Sequence, residues 1–438
     1  MADKPASASA SAPAFELDLS LQIGKYDIRK QLGKGATGTV YLAVDTFSGL
    51  EVALKTIEPE VFMDPEFGSV YRTQFQNEAS LAGKLRHPHI VAILDAAVTE
   101  DAGYIAMEIV TGGDLAQYVT AETLLPTAEV LQVGFKCCGA LDYAFQEGIV
   151  HRDIKPANIM VAKGMVVKIA DFGSAYLRKS QAVQTVAMGS PFYMSPEQIE
   201  GKELTFHSDM YSMGVVLYEL LTGKRPFTAG SMEMLVEKIL SQEPPLPSSL
   251  RADIPKAIDA IVLRALKKMP RLRYDSWADF AADLAKSAEL LPATESINDS
   301  EKYMSLKRCE MLAELSDSEL WELVRAGVWS RVPKGAMVVR ENEAGESFYF
   351  LAVGGAKVTK GGQLLNIISQ SECFGEMAYI RGGDMPRHAS VEAMGDLLLA
   401  EFRPAALLQM SLGAQLQLMR ALVRNLVDRL ELANTRRK

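Results

Sequence analysis

Long apolar runs are absent from this sequence: nothing in its 438 residues approaches the ~20 consecutive apolar positions that span a bilayer. No secretory leader is visible at its start either, so the expectation is a cytoplasmic protein with no membrane partner. Cysteine is scarce. Cys137, Cys138, Cys309 and Cys373 are too few and too scattered for a disulfide scaffold or a zinc site, which fits a reducing compartment. Excess positive charge is missing too, and a net charge of −9 argues against a nucleic-acid partner. What remains is an ordinary globular composition, 48% apolar and 23% charged, with room for about three compact units of ~150 residues. Residues 1–23, rich in Ala, Ser and Pro and without a periodic apolar face, read as a disordered tail.

The most informative stretch is His151-Arg152-Asp153-Ile154-Lys155-Pro156-Ala157-Asn158, with Asp171-Phe172-Gly173 beginning 13 positions after Asn158. It combines a carboxylate that can orient a hydroxyl nucleophile, a cation for a moving phosphate, and hard oxygens for magnesium. These strings resemble the catalytic loop and metal-binding motif of the protein-kinase family, Ser/Thr type. The resemblance implies Asp153 as base, Lys155 on the phosphate, and Asn158 and Asp171 as ligands of Mg2+.

Upstream, Gly33-Lys34-Gly35-Ala36-Thr37-Gly38-Thr39-Val40 is a glycine-rich turn between two strand-like runs, followed by Val52-Ala53-Leu54-Lys55. A strand after the glycines, where a dinucleotide fold would place a helix, favours the kinase pattern. By that resemblance Gly33, Gly35, Gly38, Val40, Ala53 and Lys55 hold ATP, and Glu78 on the next helix holds Lys55. Tyr104 to Val110 resembles the last small-lobe strand and hinge, with Met107 behind the adenine. There the backbone of Glu108 and Val110 would bond the base, and Asp114 would reach the ribose. In the segment from Asp171 to Glu197, Thr185 and then Ser180 are the expected phosphorylation sites, beside Arg152. Ser190 takes the hydroxyl position near Asp153 and Lys155. Asp209 and the pair Glu197–Arg273 carry structural roles in the same resemblance, which ends near Ser287.

Beyond residue 302 the pattern changes. Arg340–Glu343, Phe348–Gly355 and Lys357–Gly362 read as short alternating strands parted by glycine turns, as in a small β-barrel or jelly roll. Cys373-Phe374-Gly375-Glu376-Met377-Ala378-Tyr379-Ile380 followed by Pro386-Arg387-His388-Ala389-Ser390-Val391 resembles the phosphate cassette of cyclic-nucleotide-binding domains. Arg387 suits a cyclic phosphodiester and Glu376 a ribose hydroxyl. Gly375, Ala378, His388 and Ala389 complete the implied site, for cAMP or cGMP. Leu412, Leu416, Met419, Val423, Leu426 and Leu430 step by four and three along the last segment. Terminal helices of this family lid the nucleotide or pair subunits, so a homodimer is one reading and packing on the molecule's own barrel is another.

The expected architecture is α+β. A bilobal kinase fold, β-rich small lobe and helical large lobe, spans 24–287 and a linker spans 288–302. A cyclic-nucleotide-binding β-barrel or jelly roll with flanking helices spans 303–438. The expected activity is transfer of the ATP γ-phosphate to Ser or Thr of protein substrates, regulated by the cyclic nucleotide. Two other readings stay open: a barrel used for docking or dimerisation without nucleotide, and a kinase-like scaffold without activity.

Overall fold

The computed structural model describes residues 22–34, 38–57, 59–65, 68–99, 102–162, 164–174, 176–177, 191–288, 290–291, 297–382 and 386–435. Gly35, Ser180, Thr185 and Ser190, and nearly all of the expected N-terminal tail, lie outside the described residues. The chain divides into two compact units, Met1–Gly83 with Ala92–Val110, and Lys84–Val91 with Thr111–Lys438.

The first unit is an antiparallel sheet with one longer helix. Its strands are β1 (Gln22–Ile23), β2 (Tyr26–Lys34), β3 (Gly38–Asp45), β4 (Glu51–Ile57), β5 (Ile93–Val98) and β6 (Gly103–Met107), in the order β1-β2-β3-β4-β6-β5. Side chains alternate between faces along a strand. Val52 and Leu54 of β4 therefore join one buried cluster with Tyr26, Ile28, Ala43 and Ala106. Ile57 and Ile105 are buried with Phe75 of helix α1 (Gly68–Ala79). Lys55, two residues before Ile57, shares the face that α1 covers.

In the second unit, α2 (Thr127–Gln146) and α3 (Phe206–Thr222) form the helical centre. Fifteen of the 17 residues of α3 are buried, as expected of a helix apolar nearly all round. The hairpin of β7 (Ile159–Ala162) and β8 (Val166–Ile169) follows the 151–158 loop, and α4 (Trp277–Ala288) lies against α2.

The remainder of this unit is a pair of four-stranded antiparallel sheets with helices. After α5 (Asp299–Lys307) and α6 (Asp317–Ala326) come β9 (Val328–Val332), β10 (Met337–Val339), β11 (Phe348–Val353), β12 (Ala356–Lys360), β13 (Gln363–Ile368) and β14 (Cys373–Phe374). The short helix α7 (Glu376–Arg381) precedes β15 (Ser390–Ala393), β16 (Leu397–Phe402) and the final helix α8 (Leu412–Thr435). The strand orders are β9-β16-β11-β14 and β10-β15-β12-β13. Between the sheets lie Val339, Leu351, Ala356, Ile368, Phe374, Val391, Leu397 and Leu399. Phe348, Phe350, Leu398, Ala400 and Phe402 point the other way, into a core shared with α5, α6 and α8. Strands β11 and β16 are thus buried on both faces, which explains their nearly unbroken apolar sequences.

Three expectations change here. Arg340–Glu343 is a turn, with Asn342 at φ 67°, and the strand is Met337–Val339 just before it. Phe348–Val353 does not alternate polar with apolar, because both of its faces meet a core. Of the apolar stripe on α8, Leu412, Leu416, Met419 and Val423 are 84%, 53%, 36% and 46% exposed. The helix instead buries Ala414, Leu418, Ala421 and Leu422. Among the described residues, no helix is long and apolar enough to cross a membrane.

The core under the first of these sheets also includes Phe135 of α2. Trp321 of α6 stacks on Tyr303 at 4.7 Å and meets Phe135 edge-on at 6.1 Å. Polar groups ring this contact. Gln132 Nε2 donates to Ser300 Oγ at 2.7 Å and Ser300 N donates to Gln132 Oε1 at 3.0 Å. Lys136, 4% exposed, reaches Asp299 Oδ2 at 2.8 Å. Burial opposes ionisation of Asp299, but Lys136 and Lys302 outweigh it and hold the carboxyl below its ordinary range. Asp299 and Ser300 sit inside the stretch expected as linker and are the opening residues of a docked helix.

Candidate active site and nucleotide pocket

In the first unit, sheet register gathers the residues assigned to ATP. Gly33 pairs with Val40, Val40 with Lys55, and Ala53 with Met107. Gly38 is obligatory: a Cβ there would lie 1.8 Å from Thr56 O. Lys55 Nζ is 2.7 Å from Glu78 Oε2 on α1, and the Glu78 side chain is only 4% exposed. The Glu108 N–H donates to Ala92 O at 2.9 Å, and Glu108 Oε1 accepts from Ala92 N at 2.8 Å.

In the second unit, buried Asp209 at the start of α3 accepts from His151 N and Arg152 N, each at 2.7 Å. Burial pushes the Asp209 carboxyl upward, against the pull of those two bonds. The bonds hold Arg152 at φ 70°, and Asp171 stands at φ 62°. Left-handed backbone at two non-glycine residues is a cost that persists only where the surroundings enforce it. Asp153 Oδ2 accepts from Lys155 Nζ at 2.6 Å and from Asn158 Nδ2 at 3.0 Å. His151 Nε2 lies 3.0 Å from Ala170 O, and its ring is 4.5 Å from Phe172, so this loop and the Asp171 turn are fastened together. The oxygens of Asp153, Asn158 and Asp171 are hard donors of the kind magnesium takes.

Two further contacts brace the loop. Glu197 and Arg273 form a two-pronged pair at 2.7 and 2.8 Å, with Arg273 fully buried. Burial opposes the charge on Glu197, yet Arg273 keeps its carboxyl below the ordinary range. Gln198 Nε2 donates to Arg152 O at 2.8 Å. Asp114, expected at the ribose, caps its own turn by accepting from Ala116 N at 2.9 Å.

The second site is a cavity of about 300 Å³ lined by Gly375, Glu376, Ala378, Arg387, His388 and Ala389, with an apolar wall that includes Val339, Val358 and Ile368. Arg387 is 8% exposed. Among the described residues its guanidinium makes one hydrogen bond, a long one of 3.5 Å to Gly375 O. The room for it comes from glycine: a Cβ on Gly345 or Gly375 would stand 2.8 or 2.9 Å from guanidinium nitrogens. Glu376, equally buried, pairs with Arg429 of α8 at 2.9 Å and not with Arg387. The other Arg429 prong reaches Cys373 O at 2.6 Å.

The family model described as protein kinase domain matches residues 26–283. The chain belongs to the protein kinase family. A second model, cyclic nucleotide-binding domain, matches residues 329–412, so the kinase domain is followed by a domain of that family. The serine/threonine-protein kinase PknB of Mycolicibacterium smegmatis is 37% identical over 273 residues, which are 60% of this chain and 43% of that protein. The serine/threonine-protein kinase PrkC of Bacillus subtilis is 38% identical over 263 residues, 60% of this chain and 40% of that protein. The chain spans less than half the length of these curated relatives.

The kinase motifs named from sequence assemble in two groups, Lys55 with Glu78 and Asp153 with Lys155 and Asn158. All six residues named for the cyclic nucleotide line one cavity. Sequence reasoning missed Arg429 and Gln198. Arg429 lies 53 positions from its partner, on a helix whose apolar stripe drew the attention, and no local pattern marks it. Gln198 could have been found as the third residue of a capping box opened by Ser195, although its bond to Arg152 could not.

Proposed function

We propose that this chain is an ATP-dependent protein serine/threonine kinase, cytoplasmic, whose activity is controlled by a cyclic nucleotide bound at Arg387 and Glu376. The carrying observation is the 151–158 loop, where one oxygen of Asp153 sits between Lys155 and Asn158. A substrate hydroxyl oriented by Asp153 attacks the γ-phosphorus of ATP and passes its proton to the Asp153 carboxylate. The bond between the γ-phosphorus and the bridging oxygen breaks, and ADP leaves. Lys155 supports the moving phosphoryl group. Lys55, held by Glu78, pairs with the α- and β-phosphates. Magnesium would be held by the side-chain oxygens of Asn158 and Asp171 and would neutralise phosphate charge.

Cyclic-nucleotide control is supported by the buried and scarcely bonded Arg387, whose charge calls for an anion. Thr185, then Ser180, is the proposed site of autophosphorylation, with Arg152 the cation that the phosphate would order, to be located by mass spectrometry of the active protein.

The test is transfer of labelled phosphate from ATP to protein Ser or Thr, without nucleotide, with cAMP and with cGMP. Asp153→Asn is expected to lose about 10²–10⁴-fold in rate while still binding ATP. Equal rates in wild type and variant would overturn the catalytic assignment. Activity independent of both nucleotides would overturn the regulatory one. A second, compatible reading concerns assembly, because the exposed stripe Leu412, Leu416, Met419 and Val423 suits a second copy of α8. Val423→Lys with Leu426→Lys should then turn a sedimenting dimer into a monomer, and a monomeric wild type would remove the idea.

A further inference from the structure

Between Gly83 and Ala92 the chain leaves the first unit, and residues Lys84–Val91 belong to the second. The excursion begins six residues after Glu78. Its inner side rests on the kinase large lobe. Arg86 N donates to Tyr143 OH at 3.1 Å, and the His87 ring stacks on Tyr143 at 5.4 Å. Val91 N donates to Ile169 O at 2.8 Å, and Ile169 N to His89 O at 2.9 Å. Its other side meets the sensor. Trp321 of α6 stands edge-on to the His89 ring at 4.8 Å, and Ser318 Oγ donates to Arg86 O at 3.2 Å. His87 and His89 are 6% and 4% exposed, and the Nε2 of each has no hydrogen-bond partner among the described residues.

The helix that grips this excursion, α6, is tied to the nucleotide cavity through α8. Arg429 of α8 holds Glu376 in the cavity wall. The same helix is bolted to α6 and the turn before it: Ser411, immediately before α8, donates to Glu322 from N at 2.6 Å and from Oγ at 2.9 Å, and Arg424 pairs with Glu314. Leu418 and Leu422 share the core that holds Trp321. A ligand hydroxyl that competes with Arg429 for Glu376 therefore pulls on a helix packed against α6.

We propose that the α5–α6 pair is a docking surface for segment 84–91, and that cyclic nucleotide controls the kinase by shifting this segment through Trp321 and Ser318. The shift passes along the chain to α1 and resets the grip of Glu78 on Lys55. The proposal rests on the regulatory reading above and gives it a route. Release of a tethered domain is the competing route, and the structure disfavours it. Phe135 of the large lobe is inside the sensor's core, and nearly buried Lys136 has its counter-charge on α5, so separation would expose an aromatic cluster and strand a cation.

The test uses the full chain with cAMP and with cGMP. Amide hydrogen exchange across 84–91 should change on nucleotide addition. Ser318→Ala, a half-buried and conservative change, and Trp321→Leu should bind nucleotide as wild type does in calorimetry. A wild-type activity response of about 5–150-fold, the usual span of allosteric coupling, should shrink to about twofold or less in Trp321→Leu and partway in Ser318→Ala. If wild type responds while exchange across 84–91 is unmoved and Ser318→Ala responds in full, the route is wrong and the regulatory reading stands. If wild type binds nucleotide and its activity does not change, both fall.

Discussion

The two halves of this protein treat their motif charges differently. In the kinase half they close on one another: Lys55 on Glu78, Lys155 on Asp153, Arg273 on Glu197, each at 2.6–2.8 Å. In the sensor half the motif arginine stays open. Arg387 is as buried as many core residues, yet among the described residues its guanidinium has one 3.5 Å hydrogen bond and the Tyr349 ring at 5.8 Å, and the acid eleven positions before it is taken by Arg429. A desolvated cation costs several kcal/mol that a distant carbonyl does not return. Three motif charges of the kinase domain are therefore paired, while the buried arginine of the cyclic nucleotide-binding domain has no carboxylate partner among the described residues.

Breaking a closed pair should have the largest effect. Arg273→Ala strands a buried Glu197 and is expected to destabilise the kinase domain by about 3–5 kcal/mol, whereas Glu197→Leu with Arg273→Met should recover most of the loss. Urea unfolding followed by tryptophan fluorescence separates the two. A single-variant loss below ~1 kcal/mol would mean that the pair is no more than a surface contact. Arg387→Ala comes next. It should leave folding intact, since no partner is orphaned, and weaken cyclic-nucleotide binding by about 2–5 kcal/mol. Should calorimetry find no loss of affinity, the open charge is not waiting for this ligand. The smallest change is expected from Arg429→Ala. Its side chain is 36% exposed, so removing this competitor for Glu376 should raise nucleotide affinity by only about two- to fivefold. A loss as large as that of Arg387→Ala would place Arg429 on the phosphate itself.

What could be read in the sequence follows the same division. Asp153, Lys155, Asn158 and Asp171 are legible because a short loop delivers them in fixed spacing, and Glu78 because one helix carries it to Lys55. Gly375, Glu376 and Arg387 are legible for the same reason. Arg429 is not, because its partner is reached only after the whole sheet pair and α8 have folded. The strand expected at Arg340–Glu343 failed because alternating charge resembles a half-buried strand, while Asn342 needs a positive φ. The α8 stripe was visible, but sequence could not say which face the core would take; the smaller residues Ala414 and Ala421, with Leu418 and Leu422, fit closer to the sheet. The joining of Phe135 to Tyr303 and Trp321 was out of reach altogether, since the two partners lie far along the chain, in the stretch between the two matched family domains.

Segment 84–91 also has a consequence for how the protein is made. Its cover, Trp321, leaves the ribosome roughly 230 positions after Val91. At synthesis rates of about 5–20 residues per second that is a delay of about 10–45 s. Throughout it, the His87 and His89 rings lack one wall and the aromatic face of α2 lacks its lid. The kinase domain is thus translated first but finished last, and a nascent chain halted before α6 would present to chaperones the very surface that the mature sensor covers.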